Sequence, residues 1–224
     1  QIRYLMKVSC DDICDVGYDE KSGYGVFNAD RFYENLVLFD HSEIVCFYDI
    51  KENDWFYDNV KKAYHQGWMN GIGDGIFEPE GYLTRAMFVT ILYRAEGEPQ
   101  INNILKFDDV DRNAYYANAV SWASENGIIS GYSDAEFAPD RNITREEITA
   151  VMSRYADYKN INTDSRGDLT VFADADTISA WAKENVSWAV GTGLISGKGD
   201  NILDPLGSIT RAETAAILCR FSEK

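Results

Sequence analysis

The chain has 224 residues, 45% of them hydrophobic and 26% charged, so it can bury a sizeable core and does not resemble a disordered chain. Its 21 Lys and Arg against 37 Asp and Glu give a net charge of −16, which disfavours nucleic acid as a partner because such a surface repels polyanions. The sequence has no run of about 18 apolar residues, so we expect no membrane insertion. It begins at Gln1 without a basic-then-apolar leader, and we expect a mature or partial chain whose export signal lies outside it.

Residues 1–46 form a separate N-terminal segment. It contains Asp-Ile-Cys-Asp-Val-Gly at 12–17, then Gly-Tyr-Gly-Val-Phe-Asn-Ala at 23–29, followed by a predicted helix from Asp30. This combination resembles the closing segment of a subtilisin-like protease domain. The resemblance implies a surface protease whose catalytic residues lie upstream of this chain. The alternative is an ordinary leading segment packed on the helical bundle predicted after residue 46.

The cysteines predict no metal site. They are Cys10, Cys14, Cys46 and Cys219, and none follows the Cys-x-x-Cys spacing of zinc sites. Only His41 and His65 could join them as soft ligands. Cys10 and Cys14 could form a disulfide or remain buried thiols, and the pattern leaves both open. We predict neither a metal nor a cofactor.

From residue 47 onward the sequence repeats three times. Thr84, Thr144 and Thr210 stand in matching Thr-Arg segments, 60 and then 66 residues apart, and Gly67, Gly127 and Gly193 keep the same spacings. Each unit opens with Phe-x-Asp, at 47–49, 107–109 and 172–174. The predicted repeats are 47–99, 107–158 and 172–224. A polar stretch at 159–168 lengthens the second connection and predicts a loop.

Each repeat is predicted to be a helix, a loop and a second helix. The first helices are predicted at 55–66, 115–126 and 181–192, each ended by the glycine that recurs in the repeat. The second helices begin after the threonines, which are good N-caps, and Glu147 and Glu213 complete capping boxes where the first repeat has Met87. Because one helix pair cannot cover its own apolar stripe, we predict a mainly α fold. Its three helix-loop-helix repeats form a pseudo-threefold bundle around a shared core.

The arginines after the capping threonines are candidate ligand-binding residues. Arg85, Arg145 and Arg211 occupy the first helical position, where a cation opposes the helix dipole at a cost of about 0.3–1 kcal/mol. One interpretation is that each arginine binds an external anion beside the N-terminal amides. The other is a salt bridge between repeats to the aspartate that opens each unit. A purely external role predicts that Ala substitutions spare stability, whereas an internal ion pair predicts unfolding.

The opening aspartates, Asp49, Asp109 and Asp174, are also candidate ligand contacts, although an Asp before a helix often only caps a turn. The loop aspartates Asp74, Asp134 and Asp200 lack the alternating carboxylates of a calcium loop and predict ordinary turns.

Five tryptophans could stack on sugar faces: Trp55, Trp68, Trp122, Trp181 and Trp188. Trp122 and Trp188 occupy matching positions on first helices and are predicted to be buried. No nucleophile–base–orienter set and no phosphate-binding glycine loop occurs, so we predict that the chain is not an enzyme.

The three units resemble S-layer homology domains. The resemblance rests on the Thr-Arg-x-Glu-like segments, the Gly-x-x-x-Gly-Tyr/Ile-x-Asp loop with its Phe and Pro, and the Phe-x-Asp opening. The sequence departs from this pattern at Met87, Glu146 and Leu203. The family's motif arginine corresponds to Arg85, Arg145 and Arg211.

The resemblance implies a non-covalent anchor that holds extracellular proteins on the wall of a Gram-positive-type bacterium. Three repeats would form a monomeric three-pronged bundle whose grooves bind secondary cell-wall polymer, often a pyruvylated glycan. The planar pyruvyl carboxylate suits the two-pronged donor geometry of arginine. The alternative functions are a protein-interaction module on the same scaffold and the tail of the surface protease.

Overall fold

In the computed structural model, structure is described for residues 10–11, 26–30, 47–101 and 107–224. The chain divides into two compact units, residues 1–46 and 47–224. In the first unit, β1 (Cys10–Asp11) pairs antiparallel with β2 (Val26–Phe27), and residues 29 and 30 are helical. The rest of the predicted helix after Asp30, the subtilisin-like motifs and the possible pairing of Cys10 with Cys14 lie outside the described residues.

The second unit is helical, which confirms the predicted mainly α fold. Within residues 47–101 and 107–224 each repeat contributes two α-helices. They are α1 (Tyr57–His65), α2 (Arg85–Ala95), α3 (Ala117–Glu125), α4 (Arg145–Tyr158), α5 (Lys183–Gly191) and α6 (Arg211–Phe221). Two short 3₁₀ turns, Leu169–Val171 and Ala175–Thr177, precede α5. No helix among the described residues is long and apolar enough to cross a bilayer.

The first helices are shorter than predicted. Each begins two residues later and ends one residue earlier than the sequence pattern indicates. The cause lies at the N-termini, where Phe56, Tyr116 and Ala182 provide no side-chain cap and the preceding residues form a turn instead. The predicted stops are confirmed. Gly67, Gly127 and Gly193 follow the helices with φ of 71°, 68° and 70°, a backbone conformation that glycine adopts without strain.

The second helices begin as predicted. The Thr144 and Thr210 hydroxyls accept hydrogen bonds from the amides of Glu147 and Glu213, and the carboxylates of both glutamates accept a bond from the threonine amide in return. Thr84 accepts from the Met87 amide at 3.2 Å, but the Met87 side chain cannot complete the reciprocal bond. The first repeat therefore has a cap without a capping box.

The helices pair between repeats rather than within them. The contacting pairs are α2 with α3, α4 with α5, and α6 with α1. Each pair therefore joins the second helix of one repeat to the first helix of the next, and the pair of α6 with α1 closes the ring. Trp122 in α3 and Trp188 in α5 are 2% and 1% exposed within these pairs, as predicted.

Three fully buried residues form the centre of the ring. The amide of Leu83 donates to the carbonyl of Ile209 at 3.2 Å, Ile209 donates to Ile143 at 3.2 Å, and Ile143 donates back to Leu83 at 3.0 Å. We call this cycle the central triangle. Because each repeat supplies one donor and one acceptor, no repeat can satisfy these backbone groups alone.

Candidate ligand-binding cleft

The start of each second helix is completed by the loop of the next repeat. The amides of Arg85 and Ala86 donate to the carbonyls of Arg141 and Pro139 at 2.9 and 3.0 Å. The same bonds join Arg145 and Glu146 to Gly207 and Pro205, and Arg211 and Ala212 to Gly81 and Pro79. Carbonyls from a neighbouring loop therefore satisfy the amides that a helix leaves free at its N-terminus.

The motif arginines point into the same loops. In repeat 1 the Nε of Arg85 donates to the Phe137 carbonyl at 2.9 Å and its Nη2 donates to the Ser130 carbonyl at 2.8 Å. Arg145 makes the equivalent bonds to Leu203 and Ser196, and Arg211 makes them to Phe77 and Asn70. The three arginines are only 4%, 4% and 8% exposed. The cluster of carbonyls offsets both the guanidinium charge and the unfavourable helix dipole. Neither of the two interpretations of the sequence, an external anion or a salt bridge, includes backbone carbonyls as the partners.

Burial is the main influence on these guanidinium groups. It lowers the pKa of Arg85, Arg145 and Arg211, because the charged form loses water. The carboxylate of Glu213 acts in the opposite direction at Arg145, and Glu147 does so at Arg85. Guanidinium remains protonated in proteins, so all three arginines are cations at neutral pH.

The opening aspartates hold the loops. Asp49 accepts hydrogen bonds from the amides of Phe77 and Glu78 at 2.9 and 2.6 Å. Asp109 accepts from Phe137 and Ala138, and Asp174 accepts from Leu203 and Asp204. The second donor of each pair has a left-handed backbone, with φ of 60°, 57° and 57°. Each aspartate thus stabilises a strained turn whose carbonyl faces a motif arginine.

The aspartates and arginines lie close without direct contact. Among the described residues, no ion pair joins a motif arginine to Asp49, Asp109 or Asp174. Burial opposes ionisation of Asp174, but the amides of Leu203, Asp204 and Asp174 itself, together with the charge of Arg145, lower the pKa of this carboxyl group. The described residues therefore lack the salt bridge to the opening aspartates that was the alternative role for the arginines, although Arg145 does pair with Glu213 of the next repeat at 3.1 Å. The predicted ligand contacts of all six residues stay predictions.

A cleft of about 480 Å³ opens beside Arg145. Residues from all three repeats line it, and we call it the Arg145 cleft. Repeat 3 supplies the loop 195–198 and one face of α6, while repeat 1 supplies the outer wall. The lining side chains used below are Trp55, Glu80, Tyr82, Lys198, Glu213 and Arg220.

The Arg145 cleft gathers three cations within an acidic protein. Arg145, Lys198 and Arg220 face two carboxylates, Glu80 and Glu213. The Nη1 of Arg145 lies 3.1 Å from Glu213, and the Nζ of Lys198 lies 3.6 Å from the same oxygen. Trp55 is 61% exposed at the rim, where its ring can contact a ligand. Lys198 also pairs with Asp204 at 2.9 Å. The cleft therefore combines three cations, two of them paired with carboxylates, with an aromatic wall.

Lys198 and Arg220 were not among the candidate residues predicted from the sequence. A signal for Arg220 was present, because Arg94, Arg154 and Arg220 keep the 60- and 66-residue spacings of the repeat. Lys198 carries no such signal, since its counterparts are Ile72 and Tyr132. Within the described part of the chain no group of three or more His, Cys, Asp or Glu side chains could hold a metal ion, and Cys219 is a buried free thiol.

Comparison with known proteins identifies the repeats. The model of the S-layer homology domain matches residues 47–87, 106–149 and 171–215. The subtilisin-like resemblance of residues 1–46 gains no support from this match and stays a prediction.

Individual relatives agree with this match. The chain is 34% identical to an amylopullulanase of Thermoanaerobacterium thermosulfurigenes over 92% of this chain and 11% of that protein. It is 34% identical to the surface-layer 125 kDa protein of Lysinibacillus sphaericus over 73% of the chain and 14% of that protein. It is 29% identical to a cellulosome-anchoring protein of Acetivibrio thermocellus over 71% of the chain and 36% of that protein. The chain, with its three repeats, belongs to the S-layer homology domain family.

Proposed function

We propose that residues 47–224 anchor the protein that contains them to the cell wall by binding a secondary cell-wall polymer without covalent attachment. The family supports this function, as do relatives whose names are surface-layer and cellulosome-anchoring proteins. The same relatives agree with the extracellular, cell-wall location predicted from the sequence. We further propose that the module acts as a monomer and has no catalytic role. The match to amylopullulanase covers too little of that protein to transfer an activity.

The observation that carries the proposal is the cluster of three cations, Arg145, Lys198 and Arg220, in the Arg145 cleft. A sugar bearing a pyruvyl carboxylate would meet Lys198 and Arg145, and its apolar face would contact Trp55. Such a site explains how a protein of net charge −16 can bind an anionic polymer, since the favourable charge is local. Arg85, Arg211, Asp49, Asp109 and Asp174 would act at the grooves by shaping the loops that form their walls.

A second candidate function is protein interaction on the same scaffold. In the first repeat the counterparts of Lys198 and Glu213 are Ile72 and Met87, which are 57% and 38% exposed. An exposed apolar pair at this position suits a protein surface better than a charged sugar. The protease-tail function depends on residues 1–46 and stays a prediction.

The test is retention on purified wall sacculi, with and without prior removal of the secondary polymer. We expect the protein to sediment with intact sacculi and to stay in solution with stripped ones. Trp55→Ala should reduce retention, whereas Tyr48→Ala, at a residue that is 71% exposed and lies outside the cleft, should not. Equal retention on stripped peptidoglycan would reject the polymer as the ligand. Binding to a surface protein but not to sacculi would favour the second function.

A further inference from the structure

We propose that the three grooves beside the motif arginines are unequal, and that Lys198 makes the Arg145 cleft the principal anion-binding site of the chain. This inference rests on the proposed function, because it concerns which groove takes the anionic sugar. Its consequence is one strong site per chain, although the repeat suggests three.

The inequality arises at one position of the repeat. Ile72, Tyr132 and Lys198 occupy this position in the three loops and are separated by the repeat spacings of 60 and 66 residues. The three loops otherwise hold the motif arginines through the same pair of carbonyl bonds. The loops that hold the three arginines therefore share a scaffold and differ in the side chain at this position.

Tyr132 covers the arginine of repeat 1. Its ring centroid lies 4.6 Å from the Cζ of Arg85 and 4.7 Å from the Cζ of Arg141, so both guanidinium groups stack on this ring. Its hydroxyl donates to Glu147 at 2.5 Å, and Arg141 donates to the same oxygen at 3.1 Å. An anion that approached Arg85 would have to displace the Tyr132 ring, which is stacked on this guanidinium group and held by its bond to Glu147.

The loop that holds Arg211 carries the exposed apolar side chain of Ile72 at this position, and exposed Met87 replaces the capping glutamate; we call these two side chains the apolar rim. Among the described residues, the Arg211 side chain donates only to backbone carbonyls. Neither Ile72 nor Met87 can pair with a carboxylate or a sugar hydroxyl. A polar ligand would lose water at this rim without gaining hydrogen bonds.

Lys198 adds a second, movable cation beside Arg145. Its ammonium group lies 2.9 Å from Asp204 and 3.6 Å from Glu213, and its side chain is 33% exposed. A ligand carboxylate can replace the longer contact without leaving Glu213 unpaired, because Arg145 stays 3.1 Å from that oxygen. The Arg145 cleft can therefore accept an anion without breaking the internal bonds of the fold.

The experiment compares matched substitutions at this position. We would titrate the protein calorimetrically with the methyl glycoside of a pyruvylated sugar, and measure retention on intact sacculi in parallel. Lys198→Ala should weaken glycoside binding about tenfold, the effect expected for one charged hydrogen bond. Lys198→Met keeps the aliphatic stem and should weaken glycoside binding to the same extent. It replaces Lys198→Ala if that variant does not fold. The matched control, Ile72→Ala, should leave affinity unchanged, and the wild type should bind one glycoside per chain.

The outcomes separate this inference from the proposed function. Strong binding of two or three glycosides per chain would overturn the inference and leave wall anchoring intact. Equal affinity of Lys198→Ala and Ile72→Ala for both glycoside and sacculi would overturn it as well. If the wild type bound neither the glycoside nor sacculi, the proposed function would fail, and this inference would fail with it. Sacculus retention that is lost in Lys198→Ala alone would support the inference even if the isolated glycoside gave no heat.

Discussion

The hydroxyl of Tyr155, in α4, donates a hydrogen bond to the carboxylate of Glu96, directly after α2, at 2.5 Å. Lys159 reaches the same oxygen at 2.8 Å. This contact joins the second helices of repeats 1 and 2, which do not form one of the three helix pairs. Burial, together with the bond to Glu96, raises the pKa of the Tyr155 phenol well above its ordinary value. Tyr155 therefore stays protonated and continues to donate in alkaline solution.

Removing this hydroxyl should destabilise the fold. Tyr155→Phe keeps the buried ring but removes the donor, and we expect the free energy of unfolding to fall by about 1–3 kcal/mol. Lys159→Ala is the control, because this lysine is exposed and its ion pair should contribute no more than about 1 kcal/mol. Urea denaturation at neutral pH measures both. Equal losses for the two variants would show that the hydroxyl has no special role.

Cys219 should make stability depend on alkaline pH. Burial raises the pKa of its thiol from 9.0 to about 11, so the folded protein keeps the proton while the unfolded chain releases it. The contribution of this thiol to the free energy of unfolding is fully present below pH 9 and is lost as the pH rises from 9 to 11. In Cys219→Ala the fall in stability over this interval should be shallower than in the wild type. Urea denaturation at several pH values checks this, and parallel curves would contradict it.

The motif arginines should be required for stability as well as for binding. Arg85→Ala removes two bonds and leaves the carbonyls of Phe137 and Ser130 without their cation, at an expected cost of about 2–4 kcal/mol. Arg85→Lys should recover little of this, because one ammonium group does not match the paired guanidinium geometry. Thermal and urea unfolding test both variants. If the Arg85→Ala protein were as stable as the wild type, the result would favour the interpretation that Arg85 only binds an external anion.

Glu146 should stabilise the contact between repeats 2 and 3. Its buried carboxylate accepts hydrogen bonds from the amide and the hydroxyl of Ser179, at 2.9 and 2.7 Å. Glu146→Ala introduces the residue found in the other repeats, Ala86 and Ala212, and should cost about 1.5–3 kcal/mol. Ser179→Ala should cost less, since the amide bond remains. Urea denaturation of both variants measures these losses, and an unchanged midpoint for Glu146→Ala would contradict the assignment.

The central triangle should make the three repeats unfold together. Ile143→Ala leaves a cavity at the junction of all repeats and should cost about 2–5 kcal/mol. The unfolding transition should remain single, and hydrogen exchange should increase in α1, α3 and α5 alike. Increased exchange confined to the repeat that carries the substitution would show that the repeats unfold independently.

The parts of the fold that depend on local chemistry could be predicted from the sequence. The threonine caps, the capping boxes at Glu147 and Glu213, and the stops at Gly67, Gly127 and Gly193 all depend on interactions within a few residues. The burial of Trp122 and Trp188 could be predicted from their place on the helical stripe. Repetition strengthened each of these predictions because the pattern occurs three times.

The partners of the arginines could not be predicted in the same way. Arg211 donates to carbonyls of Asn70 and Phe77, more than 130 residues earlier, and every residue type has a carbonyl. The pairing of α6 with α1 likewise cannot be predicted from a pattern that describes each repeat alone. The cleft lies where three repeats meet, so the sequence suggested sugar stacking for Trp55 but could not bring this residue together with Lys198.

The pairing of α6 with α1 also has a mechanical consequence. Residue 47, where the repeats begin, leads into α1, and the last helix of the third repeat lies against that helix. Lys62 in α1 contacts Glu223 just beyond α6 at 3.3 Å, and the Cys219 thiol contacts the Asn59 carbonyl at 3.4 Å. A pulling force transmitted through the chain before residue 47 would therefore load the seam between the first and last helices, and this seam would bear the tension of a tethered protein.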